Sequence, residues 1–137
     1  MNVMRRSMAI FVLSALASAA ALGHGGAGDE TVIPVAKAEL PAAPGSHAQA
    51  LRVEFAPGAT SRPHTHPGAV FVVVVSGEVE SALDGQPAQR FKAGEAWYEA
   101  PGQLHRVTRN PSGTQPATLV AWLLSDGKTA LVRPVAH

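Results

Sequence analysis

The chain has 137 residues, 46% of them hydrophobic, which suits one domain with a real core and not comfortably two. Its formal charge of +1 leaves no basic footprint of the kind that nucleic acid or an anionic membrane selects. It has no cysteine, so disulfides, thiolate metal sites and lipid-modified cysteines are excluded.

Residues 1–23 read as a secretory signal. Arg5-Arg6 is followed by an apolar stretch from Met8 to Leu22, rich in Ala and Leu, and then by small residues. Cleavage is expected after Ala21-Leu22-Gly23, with Ala19-Ala20-Ala21 as the competing site. The stretch falls short of the roughly 20 residues of a membrane span. No stable membrane insertion is therefore expected after cleavage, an uncleaved anchor being the alternative. Arg5-Arg6 also raises the twin-arginine route, but Ser7-Met8-Ala9 match that signal poorly. The mature protein is expected in the periplasm or outside the cell. Without Arg5 and Arg6 the balance is 9 basic against 10 acidic residues.

Residues 24–48 are expected to form an N-terminal arm. Its start is Gly-rich, and Pro34, Pro41 and Pro44 limit it to one edge strand and a loop. Residues 49–137 read as the folded domain, built of short strands between turns. Leu51, Val53 and Phe55 alternate with Arg52 and Glu54, and Pro57-Gly58 ends that strand. Ala69 to Val75 is a continuous apolar run rich in valine, as in a strand buried on both faces. Glu78 to Leu83 alternates again and runs into Asp84-Gly85, a hairpin turn signal. Further strands are expected at 89–91, 96–99, 105–108, 118–124 and 129–132. No window after residue 23 sustains a 3.6-residue period, so the expected fold class is all-β, an antiparallel sandwich or barrel. A small barrel hides only one face of Val70–Val75. The other face, with Phe71, Val73 and Val75, is expected under the N-terminal segment or a second subunit of a homodimer.

His64-Thr65-His66 is the motif that bears most on function. Histidines two apart on a strand share a face, and a third, His105 in Pro101-Gly102-Gln103-Leu104-His105, could complete a three-nitrogen face for a divalent metal. Imidazole suits Fe, Ni, Cu and Zn and does not choose among them. Gly58-x5-His64-x-His66-x3-Val70-x6-Gly77 is followed by Gly94-x5-Ala100-Pro101-Gly102-x2-His105-x3-Arg109. This pair resembles the two motifs of the cupin superfamily, over about Leu51 to Leu124. The resemblance implies a cupin jelly-roll barrel, or double-stranded β-helix, holding one metal (Fe, Mn, Ni, Cu or Zn) on His64, His66 and His105. The chain departs from the pattern at three places. Val70 stands where glutamate is usual, Ala100 where proline is usual, and Arg109 where asparagine is usual, with Asn110 next. A valine cannot coordinate, although some cupin dioxygenases work with three histidines alone.

Glu99 is the residue that could compensate. In a regular strand it shares a face with Trp97, and the resemblance implies that this face is the barrel interior. Three roles then stand open: a displaced metal ligand, an acceptor for a histidine N–H, or a catalytic base. A solvated place on the outer face is the alternative. Arg109, on the parity of His105, is a candidate for holding a substrate carboxylate at the barrel mouth, and Trp97 for stacking on a substrate. His24, His47, His137 and Arg62 are read as solvent-facing, although an N-terminal His24 could chelate copper. The expected function is an exported single-domain cupin with a mononuclear metal site, a small-molecule dioxygenase or related metalloenzyme. The alternatives are a non-catalytic periplasmic barrel that binds a small molecule or metal, or a structural cupin without tight metal.

Overall fold

The computed structural model describes residues 30–43 and 46–136. The expected signal, its cleavage sites, His24 and His137 lie outside the described residues. Among the described residues there are ten strands and no helix: β1 (Glu30–Glu39), β2 (His47–Phe55), β3 (His64–Thr65), β4 (Val70–Ser76), β5 (Glu78–Leu83), β6 (Gln89–Lys92), β7 (Ala96–Glu99), β8 (His105–Arg109), β9 (Ala117–Ser125) and β10 (Arg133–Pro134). They form two five-stranded antiparallel sheets, in the orders β1-β2-β9-β4-β7 and β10-β3-β8-β5-β6. The all-β expectation holds, and the sheets face each other across one core.

Alternation along each strand decides what enters that core. Val70, Val72 and Val74 of β4 are buried, as are Leu119, Ala121 and Leu123 of β9, Phe55 of β2 and Val79 of β5. Leu51, Trp97 and Leu83 complete it. The β4–β5 corner turns at Gly77, which has φ of 71°. A Cβ there would meet the Pro116 carbonyl oxygen at 2.6 Å, so the corner admits no side chain.

Four expectations need correction. Within a single chain β4 is buried on one face only, and Phe71, Val73 and Val75 are exposed. The described part of the N-terminal segment, residues 30–43, does not cover them. Glu30–Glu39 pairs edge-on with β2, from Glu30 opposite Phe55 to Glu39 opposite His47, and lengthens the sheet. The expected arm boundary at residue 48 thus falls inside β2. The strand expected at 129–132 is absent. Asp126 accepts the backbone N–H groups of Lys128 and Thr129 at 2.9 and 2.7 Å, and this local turn displaces strand pairing until Arg133.

The fourth correction concerns β8. Leu83 pairs with His105 and Ala82 with Val107, so Arg106 is an extra residue, a β-bulge. His105 and Thr108, three apart, therefore both point inward, and parity beyond the bulge is reversed. Arg109, expected at the mouth, faces outward and binds Glu80 at 2.7 Å. Asn110 takes the inner place. Its side-chain amide donates to the Gln115 and Ala56 carbonyls at 2.7 and 3.2 Å and ties down the loop to β9.

Candidate metal centre

Three short elements carry the site. His64 lies on β3, opposite His105 of β8 in strand register. His66 follows β3 by one residue, where its own carbonyl receives the N–H of Gly102 at 2.8 Å. That bond ties the Pro101-Gly102 turn of the second motif to the histidine pair of the first. The rings of His64 and His66 lie 4.8 Å apart between centroids, and those of His64 and His105 5.2 Å apart.

Hydrogen bonds at the far ring atoms settle which nitrogens face the common space. Nδ1–H of His64 donates to the Arg62 carbonyl at 2.7 Å, and Nδ1–H of His66 to the Leu131 carbonyl at 2.7 Å. A carbonyl only accepts, so Nδ1 carries the proton in both rings, and Nε2 of the neutral imidazole keeps its lone pair. Burial holds His64 neutral by pushing it down to about 4.

Glu99 enters from β7 and is only 2% exposed. It is the register partner of Val70, so a carboxylate stands directly across from the position where the first motif usually carries one. Oε1 accepts the Trp97 indole N–H at 2.9 Å and lies 3.1 Å from His105 Nδ1. Oε2 has no hydrogen-bond partner although it is buried, and it lies 3.6 Å from His66 Nε2. Burial works to raise the carboxyl, but His105, Trp97 and His66 outweigh it and hold Glu99 below the ordinary glutamate value.

An unpartnered buried carboxylate oxygen is costly unless something positive shares its site. One ligand atom each from His64, His66 and Glu99 lies within 4.8 Å of the others, close enough for one ion to join them. Two imidazole nitrogens and a carboxylate form a chemically competent donor set for a divalent transition metal. The residues present therefore fit a metal.

His105 is buried beside this cluster, with Nδ1 toward Glu99 and Nε2 turned away from it. Nε2 lies 2.8 Å from both Ser81 Oγ and Thr108 Oγ1. Trp97 packs inside the barrel against Phe91, at 4.8 Å between centroids. It also lines a cavity of about 210 Å³ between β5, β6 and β7, together with Ser81, Phe91 and Tyr98. Arg109 is outside the barrel, and His47 packs its ring against Gly127, away from the cluster. Sequence reasoning missed Ser81 and Thr108. Ser81 left a signal, as a polar residue on the inward parity of β5. Thr108 left none, because the bulge decides its direction.

Comparison with known proteins agrees with this architecture. No curated protein matches the chain. Among solved structures, oxalate oxidase in complex with the substrate analogue glycolate is 28% identical, with a TM-score of 0.56, over 64% of this chain and 46% of that one. The DMSP lyase DddQ from Ruegeria pomeroyi DSS-3 is 25% identical, with a TM-score of 0.57, over 66% of this chain and 45% of that one. This chain thus spans about half the length of either. A cupin-like protein from Thermotoga maritima MSB8 shares the fold at 19% identity, with a TM-score of 0.62, over 80% of this chain and 77% of that one. The Cupin domain family (Cupin_2) matches residues 51–123. With the motifs, the barrel and a match over more than half its length in agreement, the chain belongs to the cupin family.

Proposed function

We propose that this cupin is a mononuclear metalloprotein that binds a divalent ion inside its barrel and acts on a small molecule as a dioxygenase-like oxidoreductase. The observation that carries the reading is the convergence of three unused lone pairs, on His64, His66 and Glu99, within a buried space. A bound ion there supplies Lewis acidity or a site for oxygen chemistry. The chain's own part is to orient both imidazoles, with Nε2 toward the common space, through the Arg62 and Leu131 carbonyls. It also keeps the Glu99 carboxylate ionised and dry. Half-buried His64 marks the side on which the cluster meets solvent. Glycolate bound to oxalate oxidase, a structural neighbour, supports a small oxygen-bearing substrate. Export of the mature chain is part of the proposal and is supported by the character of residues 1–23.

Metal analysis and calorimetry test the centre. The protein should bind one divalent ion, and His64→Ala or His66→Ala should weaken it by well over tenfold, since each removes a donor. His47→Ala should leave binding unchanged. Equal melting temperatures with and without metal, and no heat of binding, would dismiss the metal. Oxygen consumption by the iron-loaded protein over a panel of diketones, phenols and hydroxy acids tests turnover. Tight ligand binding without consumption would favour a non-catalytic binding barrel.

A further inference from the structure

β6 and β7 follow one another in the chain but belong to different sheets. Each is the last strand of its sheet, β6 beside β5 and β7 beside β4. A short turn joins them, and the cavity of about 210 Å³ lies along the seam where the two sheets part. None of His64, His66, Glu99 and His105 is among the residues that line it. Trp97 stands between cavity and cluster. Its indole N–H donates to Glu99 at 2.9 Å, while its ring lines the cavity and meets Phe91 at 4.8 Å between centroids.

Register decides what else the cavity offers. Ser81 and Gln89 are partners on β5 and β6, and cross-strand partners share a face. Ser81 is buried and Gln89 exposed, so a hydroxyl lies at the floor and an amide, both donor and acceptor, at the mouth. Leu83, Phe91 and Trp97 supply apolar walls. Among the described residues none that lines the cavity carries a charge. The rim is held from both ends. Arg106 spends its guanidinium on the carbonyls of Leu83 and Gln86, at 3.3 and 2.8 Å, and fixes the hairpin between β5 and β6. The Glu95 carboxylate accepts the N–H of Lys92 at 2.6 Å, and the Glu95 N–H donates to the Lys92 carbonyl at 2.9 Å, which closes the turn between β6 and β7. Walls fixed in this way make a preformed pocket.

We propose that this seam is a second small-molecule site, independent of the metal centre, that takes an uncharged single-ring aromatic molecule bearing one hydrogen-bonding group. Size, charge and shape each narrow the class. An apolar cavity of about 150 Å³ holds benzene. The 210 Å³ here suits one ring with a small substituent. A carboxylate or ammonium group entering the seam would leave water without meeting a free countercharge. The ring rests against Phe91 and Trp97, and its polar group reaches the Gln89 amide.

Benzamide is the probe, with benzoate as its charged counterpart of the same shape. In full-length Trp122→Phe protein, Trp97 is the remaining tryptophan, and benzamide should change its emission saturably. Benzoate should bind roughly tenfold or more weakly. Gln89→Ala should weaken benzamide about two- to tenfold, the worth of one hydrogen bond. Gln89→Phe, which fills the mouth from an exposed position, should abolish binding. Treatment with a chelator should leave the affinity unchanged, and calorimetry on the unsubstituted protein should give the same constant. No saturable binding of benzamide, phenol or nicotinamide would overturn the proposal. So would benzamide binding that Gln89→Phe leaves intact, or benzoate binding as tight as benzamide. Binding lost with the metal would also overturn it, by placing the probe in the metal centre.

Discussion

A neutral imidazole binds metal and a protonated one does not, so the depression of His64 to about 4 has two effects. It keeps the ligand available well into acid, and it makes the fold sensitive to acid. In the unfolded chain His64 protonates near its ordinary 6.5, and in the folded protein only near 4. Between those values the unfolded chain binds the extra proton, so stability is lost as pH falls through that window. Glu99, held below its ordinary value of 4.5, adds a loss in the same direction at still lower pH. The melting temperature of metal-free protein should therefore drop between pH 6.5 and 4. His64→Gln should flatten that part of the curve, and a wild-type melt independent of pH over the range would refute the assignment. The same residues show how reading and outcome relate at this scale. That Glu99 shares a face with Trp97 follows from strand parity, that this face is the interior was implied only by the family resemblance, and the structure buries both. That it replaces the carboxylate missing at Val70 follows only from the β4–β7 register.

The two sheets treat solvent differently. The outer face of the second sheet is laced with charge, Arg90 reaching Glu78 and Glu80 at 3.3 Å and Arg109 reaching Glu80 at 2.7 Å. The outer face of the first sheet carries Phe71, Val73 and Val75 of β4, Tyr98 of β7, and Trp122 and Leu124 of β9. Phe71 is 57% and Trp122 50% exposed, and the nearby charges on β2, Arg52 and Glu54, pair with each other at 3.0 Å. Six large side chains about half exposed present on the order of 500 Å² of accessible surface, the size at which an apolar patch marks an interaction site. A face without net charge suits an isologous contact, in which like meets like, and so a second copy of this chain is the expected occupant. Light scattering at micromolar concentration should report a dimer. Trp122→Glu should give a monomer that still binds metal, because Trp122 points away from the barrel interior. A wild-type monomer would end the argument. A monomer that dimerises once residues 1–29 are removed would assign the cover to the chain's own N-terminal segment.

At the scale of the whole molecule, every core residue among those described lies at Val32 or beyond. A fold without cysteine needs no oxidant to mature and relies on packing, metal or association for its stability. Mass spectrometry of the native protein should find a chain beginning within a few residues of His24, outside the cytoplasm. An intact Met1 in a cytosolic fraction would contradict it. The sequence by itself determined the fold class, the turns and the histidine pair on one face, because these rest on local rules. Strand side chains alternate with period two, Gly and Pro punctuate, and two motifs at family spacing leave little choice of barrel. Only the tertiary structure decided the rest. The bulge at Arg106 reversed parity after His105, sending Arg109 out and Thr108 in. Cross-strand register set Glu99 against Val70, and sheet order paired the expected edge strand β1 with β2, away from Phe71. Each of these depends on which residue lies opposite which across strands distant in sequence, and a shift of one position exchanges inside for outside without changing the local pattern.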